Sequence, residues 1–157
     1  MDSPAVTIYS DGACLGNPGR GGYGTVLLFG ARRKELSQGY RLTTNNRMEL
    51  LGAIVGLEAL KRACDVTVWS DSQYLIHAMT KGWLDGWQRR GWRTAQKQPV
   101  KNQDLWQRLL VATDAHAIEW RWVRGHTGDP ENERCDELAV AAANGEHLHD
   151  DVGYDGA

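Results

Sequence analysis

The order in which hydrophobic periodicity changes along the chain restricts the fold more than any other feature of the sequence. Three segments with the alternating or β-branched pattern of strands come first, at residues 5–10, 23–29 and 34–42. Apolar residues at helical spacing follow at 47–62, and the next strand-like segment is the short apolar run 66–69. Hairpins that precede crossovers predict a mixed sheet whose first three strands are antiparallel.

The second half of the chain continues with helices and one more strand. Helices are predicted at 73–80, from 102 or 103 to 113, and from 130 to about 143, the last with Pro at its first helical position. Residues 118–123 alternate strictly between apolar and polar and predict a half-buried strand. The sequence therefore predicts one α/β domain over residues 1–157, with helices packed on a mixed sheet.

Composition excludes several classes of protein. The chain has 157 residues, 41% hydrophobic and 24% charged, which suits one domain with one core and not a disordered chain. No apolar run approaches the roughly 18 residues of a membrane span, and residues 1–4 have neither the basic start nor the apolar stretch of a secretory signal. Three cysteines without C-x-x-C spacing make neither a disulfide framework nor a zinc site. We therefore expect a cytoplasmic monomer with reduced thiols, no membrane association and no obligate protein partner.

Charge is segregated along the chain, although the net charge is only −2. Residues 81–101, which we call the basic segment, carry six basic residues against one acidic residue, together with Trp83, Trp87 and Trp92. Arginine binds phosphate as a planar fork and indole rings stack on sugars or bases, so the pattern predicts a projecting substrate-binding protrusion. The alternative is a solvated amphipathic helix whose tryptophans lie partly in the core. Acidic residues concentrate near the C-terminus, and we expect residues 145–157 to form an acidic, solvated and mobile tail.

Four acidic residues stand where an active site can form in an open α/β sheet: Asp11, Glu49, Asp71 and Asp136. Asp11 and Asp71 each follow a strand of the interior type, so their carboxylates would emerge at one edge if those strands are parallel neighbours. Clustered carboxylates without His or Cys ligands favour Mg²⁺ or Mn²⁺ over zinc. Two such ions about 4 Å apart form the arrangement used for in-line displacement at phosphorus.

Each of these acids also has a purely structural interpretation. Glu49 fits a variant capping box with Asn46, Asp71 fits a helix N-cap, and Asp11 precedes a glycine as in a turn. Asp136 would then be one more solvated acid on an acidic helix.

A histidine and a glycine-rich stretch complete the candidate motifs. His126 lies in a loop between two glycines, where an imidazole beside a metal site can move a proton at neutral pH; a surface histidine is the alternative. Residues 12–22 are rich in glycine and predict a turn. The spacing Gly19-x-Gly21-x-x-Gly24 matches a dinucleotide fingerprint, but it opens a strand and not a helix, so we exclude that function.

Five motifs resemble, in the same order, those of bacterial type 1 ribonuclease H, and the resemblance covers about residues 5–145. They are SDGACLGNPG (10–19), TNNRMEL (44–50), SDSQY (70–74), WVRGHTG (122–128) and NERCDELA (132–139). The resemblance implies the ribonuclease H fold, an α/β fold with a five-stranded mixed sheet in the order 3-2-1-4-5 and helices on both faces. It also implies cleavage of the RNA strand of RNA–DNA hybrids with two Mg²⁺ ions, or Mn²⁺ as a substitute, leaving 5′-phosphate and 3′-hydroxyl ends.

The same resemblance assigns roles to individual positions. The four carboxylates would be catalytic metal ligands, and His126 would assist proton movement or product release. The basic segment would grip the DNA strand, Thr44 and Asn102 would hold a DNA phosphate, and three further residues would contact the groove. The expected substrate-binding residues are Asn17, Thr44, Asn45, Gln73, Trp83, Trp87, Arg89, Arg90, Trp92, Arg93 and Asn102.

The sequence departs from the family pattern at two glutamines, and two alternative functions remain. Gln88 and Gln98 replace lysines that many relatives have, which bears on substrate affinity and not on the reaction. The alternatives are a non-catalytic nucleic-acid-binding module, which predicts a missing carboxylate, and a DNA-processing nuclease of the same fold.

Overall fold

The computed structural model describes residues 3–125 and 128–156. These residues form six strands and five helices, in the predicted order apart from the additional last strand. They are β1 (Ala5–Leu15), β2 (Gly19–Phe29), β3 (Arg32–Thr43), α1 (Asn45–Glu58), β4 (Asp65–Ser70), α2 (Gln73–Thr80), α3 (Trp83–Arg89), α4 (Gln103–Thr113), β5 (Ala117–Trp122), α5 (Pro130–Ala143) and β6 (Leu148–His149). No helix among these described residues is both long enough and apolar enough to cross a bilayer.

The strands form one mixed sheet in the order β5-β4-β1-β2-β3-β6. β1, β2 and β3 are antiparallel neighbours, whereas β4 and β5 continue the sheet parallel to β1. The predicted order 3-2-1-4-5 is therefore confirmed, with one addition. The short strand β6 pairs parallel to the outer edge of β3 through Gly39 and Tyr40.

The first hairpin is longer than its sequence suggests. The glycine-rich stretch predicted as a turn is mostly strand, because β1 continues to Leu15 and β2 begins at Gly19. The glycines serve packing instead: a Cβ on Gly22 would lie 2.7 Å from the carbonyl oxygen of Ala139, and one on Gly24 would collide with the backbone at Cys135. Small residues on β2 thus let α5 lie directly on the sheet.

The core lies between the sheet and α1, and α4 packs beside α1. Ile8 and Val68 are fully buried on the central strands, and Ile54 and Leu57 are buried on α1. α5 packs against β1, β2 and β3. The sheet therefore carries helices on both faces, as predicted, and the carboxyl ends of β1 and β4 stay open between them.

After α5 the chain pairs with β3 through β6 and then reaches Arg47 of α1. The side chain of Asp151 is only 5% exposed and accepts hydrogen bonds from the guanidinium of Arg47, at 2.6 Å from Nε. It also accepts a hydrogen bond from the Thr43 hydroxyl at 2.7 Å. The interpretation of the C-terminal acids as a solvated tail is therefore wrong for Asp151, because a buried cation holds it in place.

Candidate active site

Two of the predicted acids meet because their strands are parallel neighbours. Ser10 of β1 lies opposite Ser70 of β4 in the parallel ladder. Asp11 is the next residue of β1, and Asp71 directly follows β4. The condition on which the sequence prediction depended, that the two strands be adjacent and parallel, is thus confirmed.

The third acid comes from the first helix, which lies unusually close to β1. Thr44 caps the N-terminus of α1, and its hydroxyl accepts a hydrogen bond from the backbone N–H of Arg47. A Cβ on Gly12 would lie 2.7 Å from the backbone carbon of Met48, so only glycine allows this approach. The close packing brings Glu49 to the end of β1.

The three carboxylates form a compact group. One oxygen each from Asp11, Glu49 and Asp71 lies within 4.8 Å of the others. Asp11 and Glu49 are 4% and 5% exposed, and Asp71 is half-buried. Oδ1 of Asp11 accepts a hydrogen bond from the backbone N–H of Gly12 at 2.9 Å. Two buried atoms beside it, Oε2 of Glu49 and the hydroxyl oxygen of Ser10, make no hydrogen bond.

Burial and mutual repulsion make these acids difficult to ionise. Burial and then the charge of Asp71 raise the pKa of Asp11 from 3.8 to about 8. Burial, followed by the charges of Asp11 and Asp71, raises the pKa of Glu49 well above 4.5. A group of this kind is stabilised by a bound cation, which compensates both the lost hydration and the repulsion.

The donor set fits a divalent metal ion. All three ligands are carboxylate oxygens, which hard cations such as Mg²⁺ and Mn²⁺ prefer. Oε2 of Glu49 is buried without a hydrogen-bond partner, and a metal ion bound by this residue would satisfy it.

The structure does not place the other two predicted catalytic residues in this group. Asp136 lies on α5, half-buried, and is not among the three acids whose oxygens converge in the described part of the chain. His126 lies outside the described residues. The neighbouring Gly125 does approach the site, since a Cβ on it would lie 2.9 Å from Oδ2 of Asp71.

A cavity of about 800 Å³ lies beside the N-terminus of α1, and most of the residues that line it are of polar types. Asn17, Thr44 and Asn102, three of the predicted substrate-binding residues, line it. Oδ1 of Asn17 accepts a hydrogen bond from the backbone N–H of Asn45 at 3.2 Å, which ties the first hairpin to the start of α1. Asn102 precedes α4 and donates a hydrogen bond to the Tyr74 hydroxyl at 3.1 Å.

Arg47, which also lines this cavity, is a residue to which the sequence analysis assigned no individual role. Its side chain is 2% exposed and donates to both carboxylate oxygens of Asp104, at 2.9 and 2.7 Å, as well as to Asp151. It also donates to Oδ1 of Asn102 at 3.3 Å. The one available signal was an arginine directly before the buried run that begins at Met48.

The basic segment has features of both interpretations: exposed side chains, as in a protrusion, and tryptophans that lie partly in the core. Trp87 and Trp92 are half-buried and pack against the core, and the Trp87 ring lies 5.5 Å from that of Trp106. Trp83, by contrast, is 39% exposed. The three predicted arginines of the segment are exposed, and so is Gln73 at the start of α2. These arginines are Arg89, Arg90 and Arg93. Arg89 pairs with Asp85, and Arg93 donates a hydrogen bond to a backbone carbonyl.

Sequence comparison finds one family. A family model described as RNase H matches residues 3–144. A Ribonuclease H of Aeromonas salmonicida is 57% identical over 149 residues, which cover 95% of this chain and 96% of that protein. A Ribonuclease H of Klebsiella pneumoniae subsp. pneumoniae is 60% identical over 149 residues, which cover 95% of each chain.

Structural comparison agrees. The crystal structure of LC9-RNase H1, described as a type 1 RNase H with the type 2 active-site motif, has a TM-score of 0.83 at 35% identity and covers 92% of this chain and 74% of that one. LC11-RNase H1, in a crystal structure with an RNA/DNA hybrid, has a TM-score of 0.68 at 23% identity and covers 88% of this chain and 96% of that one. This second likeness concerns the fold alone.

Proposed function

Because this chain belongs to the RNase H family and is a ribonuclease H, we propose that it hydrolyses the RNA strand of RNA–DNA hybrids at the group formed by Asp11, Glu49 and Asp71. The observation that carries the proposal is this group of carboxylates at the common edge of β1, β4 and α1, with one buried oxygen that lacks a partner. Its position at the carboxyl ends of parallel strands is where open α/β sheets bind their ligands.

The cofactor in this proposal is Mg²⁺, two ions for each site, with Mn²⁺ as a substitute. When bound, the ions lower the pKa of the attacking water and stabilise the leaving 3′-oxygen, which yields 5′-phosphate and 3′-hydroxyl ends. Asp11 would hold metal together with Glu49 and Asp71, since its carboxylate interacts with both of these acids. Asp136 on α5 completes the ligand set, and His126 assists proton movement or product release.

The raised pKa of Asp11 has a direct consequence for metal binding. At pH 7 the metal-free site retains a proton, because the pKa of Asp11 is about 8. Metal binding therefore displaces this proton, and the affinity for metal falls as the pH is lowered. The hydrogen bond from the backbone N–H of Gly12 holds Oδ1 of Asp11 in place.

The substrate lies across the open edge of the sheet. Thr44 and Asn102 line one cavity, where they would hold a phosphate of the DNA strand. The buried Arg47 donates to Asn102, Asp104 and Asp151, and it would position Asn102. Asn17, Asn45 and Gln73 would contact the groove and its 2′-hydroxyls, which distinguish RNA from DNA. The exposed parts of the basic segment would bind the DNA backbone, with its arginines on phosphates and Trp83, Trp87 and Trp92 against sugars or bases.

One assay tests the proposal. Labelled RNA–DNA hybrid, duplex DNA and duplex RNA are each incubated with Mg²⁺, Mn²⁺ or EDTA. We expect cleavage of the hybrid alone, in the RNA strand, with either metal and not with EDTA. Binding of the hybrid without cleavage would favour a non-catalytic module, and cleavage of duplex DNA would favour a DNA-processing nuclease.

A further inference from the structure

Asn102 is held in an unusual way at the start of α4. It occupies the N-cap position with φ 60° and ψ 30°, in the left-handed region, and its side chain makes no capping hydrogen bond to the helix. An asparagine at this position usually accepts a hydrogen bond from a backbone N–H of the first helical turn. Here the side chain bonds to other side chains instead, and it lines the cavity beside the N-terminus of α1.

Two neighbours determine which way the carboxamide of Asn102 points. A guanidinium N–H of Arg47 donates to Oδ1 at 3.3 Å, and Nδ2 donates to the hydroxyl oxygen of Tyr74 at 3.1 Å. Arginine has no acceptor, so the oxygen of the carboxamide must face Arg47 and its nitrogen must face Tyr74. In the described part of the chain Nδ2 makes only this one hydrogen bond, so its second N–H is available to a ligand in the cavity.

The hydroxyl oxygen of Tyr74 is itself fixed by a second donor. Nε1 of Trp106 donates to the same oxygen at 3.1 Å. Trp106 is fully buried on α4, and its ring lies 5.2 Å from that of Tyr74. Tyr74 is not among the described residues that line the cavity, so it acts on a ligand there only through Asn102.

Tyr74 also belongs to the helix that begins beside the carboxylate group. Ser72 caps α2, where its hydroxyl accepts a hydrogen bond from the backbone N–H of Leu75 at 3.1 Å. Asp71 directly precedes this cap and lies three residues before Tyr74. The bond between Tyr74 and Asn102 therefore ties the cavity to the same short stretch of chain that carries one of the three clustered acids.

We propose that Tyr74 is a positioning residue for substrate binding: its hydroxyl oxygen orients the side-chain amide of Asn102 so that the second N–H of that amide donates to a phosphate of the DNA strand. The inference rests on the proposed function, which places this phosphate in the cavity. Phosphate oxygens accept hydrogen bonds, so a carboxamide turned the other way would present its own oxygen and repel them. The orientation of one side chain thus decides whether the cavity offers a donor or an acceptor.

This role affects affinity and not the chemical step. Loss of the Tyr74 hydroxyl removes the acceptor that holds Nδ2 of Asn102, and it leaves the three clustered acids in place. The net contribution of one such hydrogen bond corresponds to about fivefold in an equilibrium constant. The substrate should therefore bind less tightly and, once bound, be cleaved at nearly the same rate.

The experiment compares the unaltered chain with Tyr74→Phe, which removes only the hydroxyl oxygen. The dissociation constant of a short RNA–DNA hybrid is measured in EDTA, and KM and kcat are measured with Mg²⁺. We expect the dissociation constant and KM to rise about fivefold and kcat to change less than about twofold. Tyr23→Phe, the same change at a buried tyrosine of β2 outside the cavity, is the control and should leave all three values unchanged.

A modified substrate separates positioning from a general effect on the fold. Hybrids are prepared in which one DNA phosphate at a time is replaced by an uncharged methylphosphonate. At the phosphate held in the cavity, this replacement should weaken binding to the unaltered chain and remove most of the difference between that chain and Tyr74→Phe. A difference that stays the same for every position of the methylphosphonate would assign Tyr74 a structural role alone and overturn the proposal.

Asn102→Gly tests the phosphate site on which the inference rests. It removes the side chain and keeps a residue that adopts positive φ without steric cost. We expect it to weaken hybrid binding more than Tyr74→Phe, and we expect no further loss when the two changes are combined. Unchanged binding by Asn102→Gly would contradict the phosphate site itself. Weaker binding by Asn102→Gly with no effect of Tyr74→Phe, or losses that add in the double variant, would overturn the positioning role of Tyr74 and leave the proposed function standing.

Discussion

Asp11 is a carboxylate that the fold places in an unfavourable environment. It is buried beside two other acids, and its pKa is raised to about 8 by burial and by Asp71. Without metal, such a residue opposes folding at neutral pH, because the unfolded chain ionises it freely. Buried acids that reduce stability are characteristic of functional sites.

Asp11→Asn should abolish hybrid cleavage and leave the fold intact. Activity should fall at least about a thousandfold, because several kcal/mol of transition-state stabilisation depend on the metal site. Initial rates on labelled hybrid and circular dichroism measure the two effects. Asp65→Asn, at the exposed start of β4, is the matched control and should retain activity. Cleavage by Asp11→Asn at a rate near that of the unaltered chain would contradict the assignment.

In EDTA, the stability of the unaltered chain should depend on pH more strongly than that of Asp11→Asn. The pKa of Asp11 is raised from 3.8 to about 8, so its favourable contribution is complete below pH 3.8 and is lost as the pH rises through about 8. The free energy of unfolding of the unaltered chain should therefore decline from pH 5 to pH 9, by about 1 to 3 kcal/mol more than that of Asp11→Asn. Urea unfolding at both pH values measures this difference, and parallel pH profiles would contradict it.

The C-terminal segment, residues 144–156, helps to hold the fold together although it contains only the two-residue strand β6. Leu148 and His149 pair with β3, and Asp151 then reaches the buried Arg47. Arg47 lies between Asp104 of α4 and Asp151, so one guanidinium joins α1, α4 and the C-terminal segment. A buried cation that loses a partner is costly.

Asp151→Asn should lower the free energy of unfolding by about 1 to 3 kcal/mol, less than for a fully unpaired charge because Asp104 still pairs with Arg47. Asp150→Asn is the control. Its carboxylate is 78% exposed and pairs with the exposed Arg41, so the change should be below about 0.5 kcal/mol. Urea unfolding at pH 7 distinguishes the two; equal effects would show that burial of the pair is unimportant.

The basic segment is expected to act on substrate affinity and not on chemistry. Replacing Arg89, Arg90 and Arg93 by glutamine should raise KM more than it lowers kcat. The plot of log affinity for the hybrid against log salt concentration should also become less steep, by the loss of up to about three phosphate contacts. The control replaces an equal number of cations at the other end of the sheet, where β1 begins: Arg32, Lys34 and Lys61. Kinetics at several salt concentrations measure both; an unchanged salt slope in the first variant would remove the basic segment from the binding surface.

The proposed metal site would couple three parts of the molecule, because the acids that would hold the metal come from β1, α1 and the end of β4. These parts are adjacent only in the folded chain, so metal binding should stabilise the fold as a whole. Mg²⁺ at ten times its dissociation constant should raise the free energy of unfolding by about 1.4 kcal/mol. Asp11→Asn should lose this increment in unfolding experiments with and without Mg²⁺. Equal stabilisation of both proteins would place the metal elsewhere.

Local patterns predicted most of the fold and the centre of the site. Helix α2 has the predicted bounds, and the acids at the ends of β1 and β4 converge as the strand types indicated. The resemblance supplied the strand order. The first hairpin was misjudged because glycine favours turns and also permits close packing, and only the position of α5 on Gly24 distinguishes these two roles.

The sequence by itself determined the types and order of the elements, the family, and three acids of the candidate site, because periodicity, helix caps and short motifs are properties of neighbouring residues. Tertiary structure alone decided the burial of Arg47 between Asp104 and Asp151, and the meeting of Phe29 and Lys34 with Lys61 around one cavity where β1 begins. Those contacts join residues far apart along the chain, and whether a charge is paired or an apolar side chain is covered depends on what the packing brings beside it.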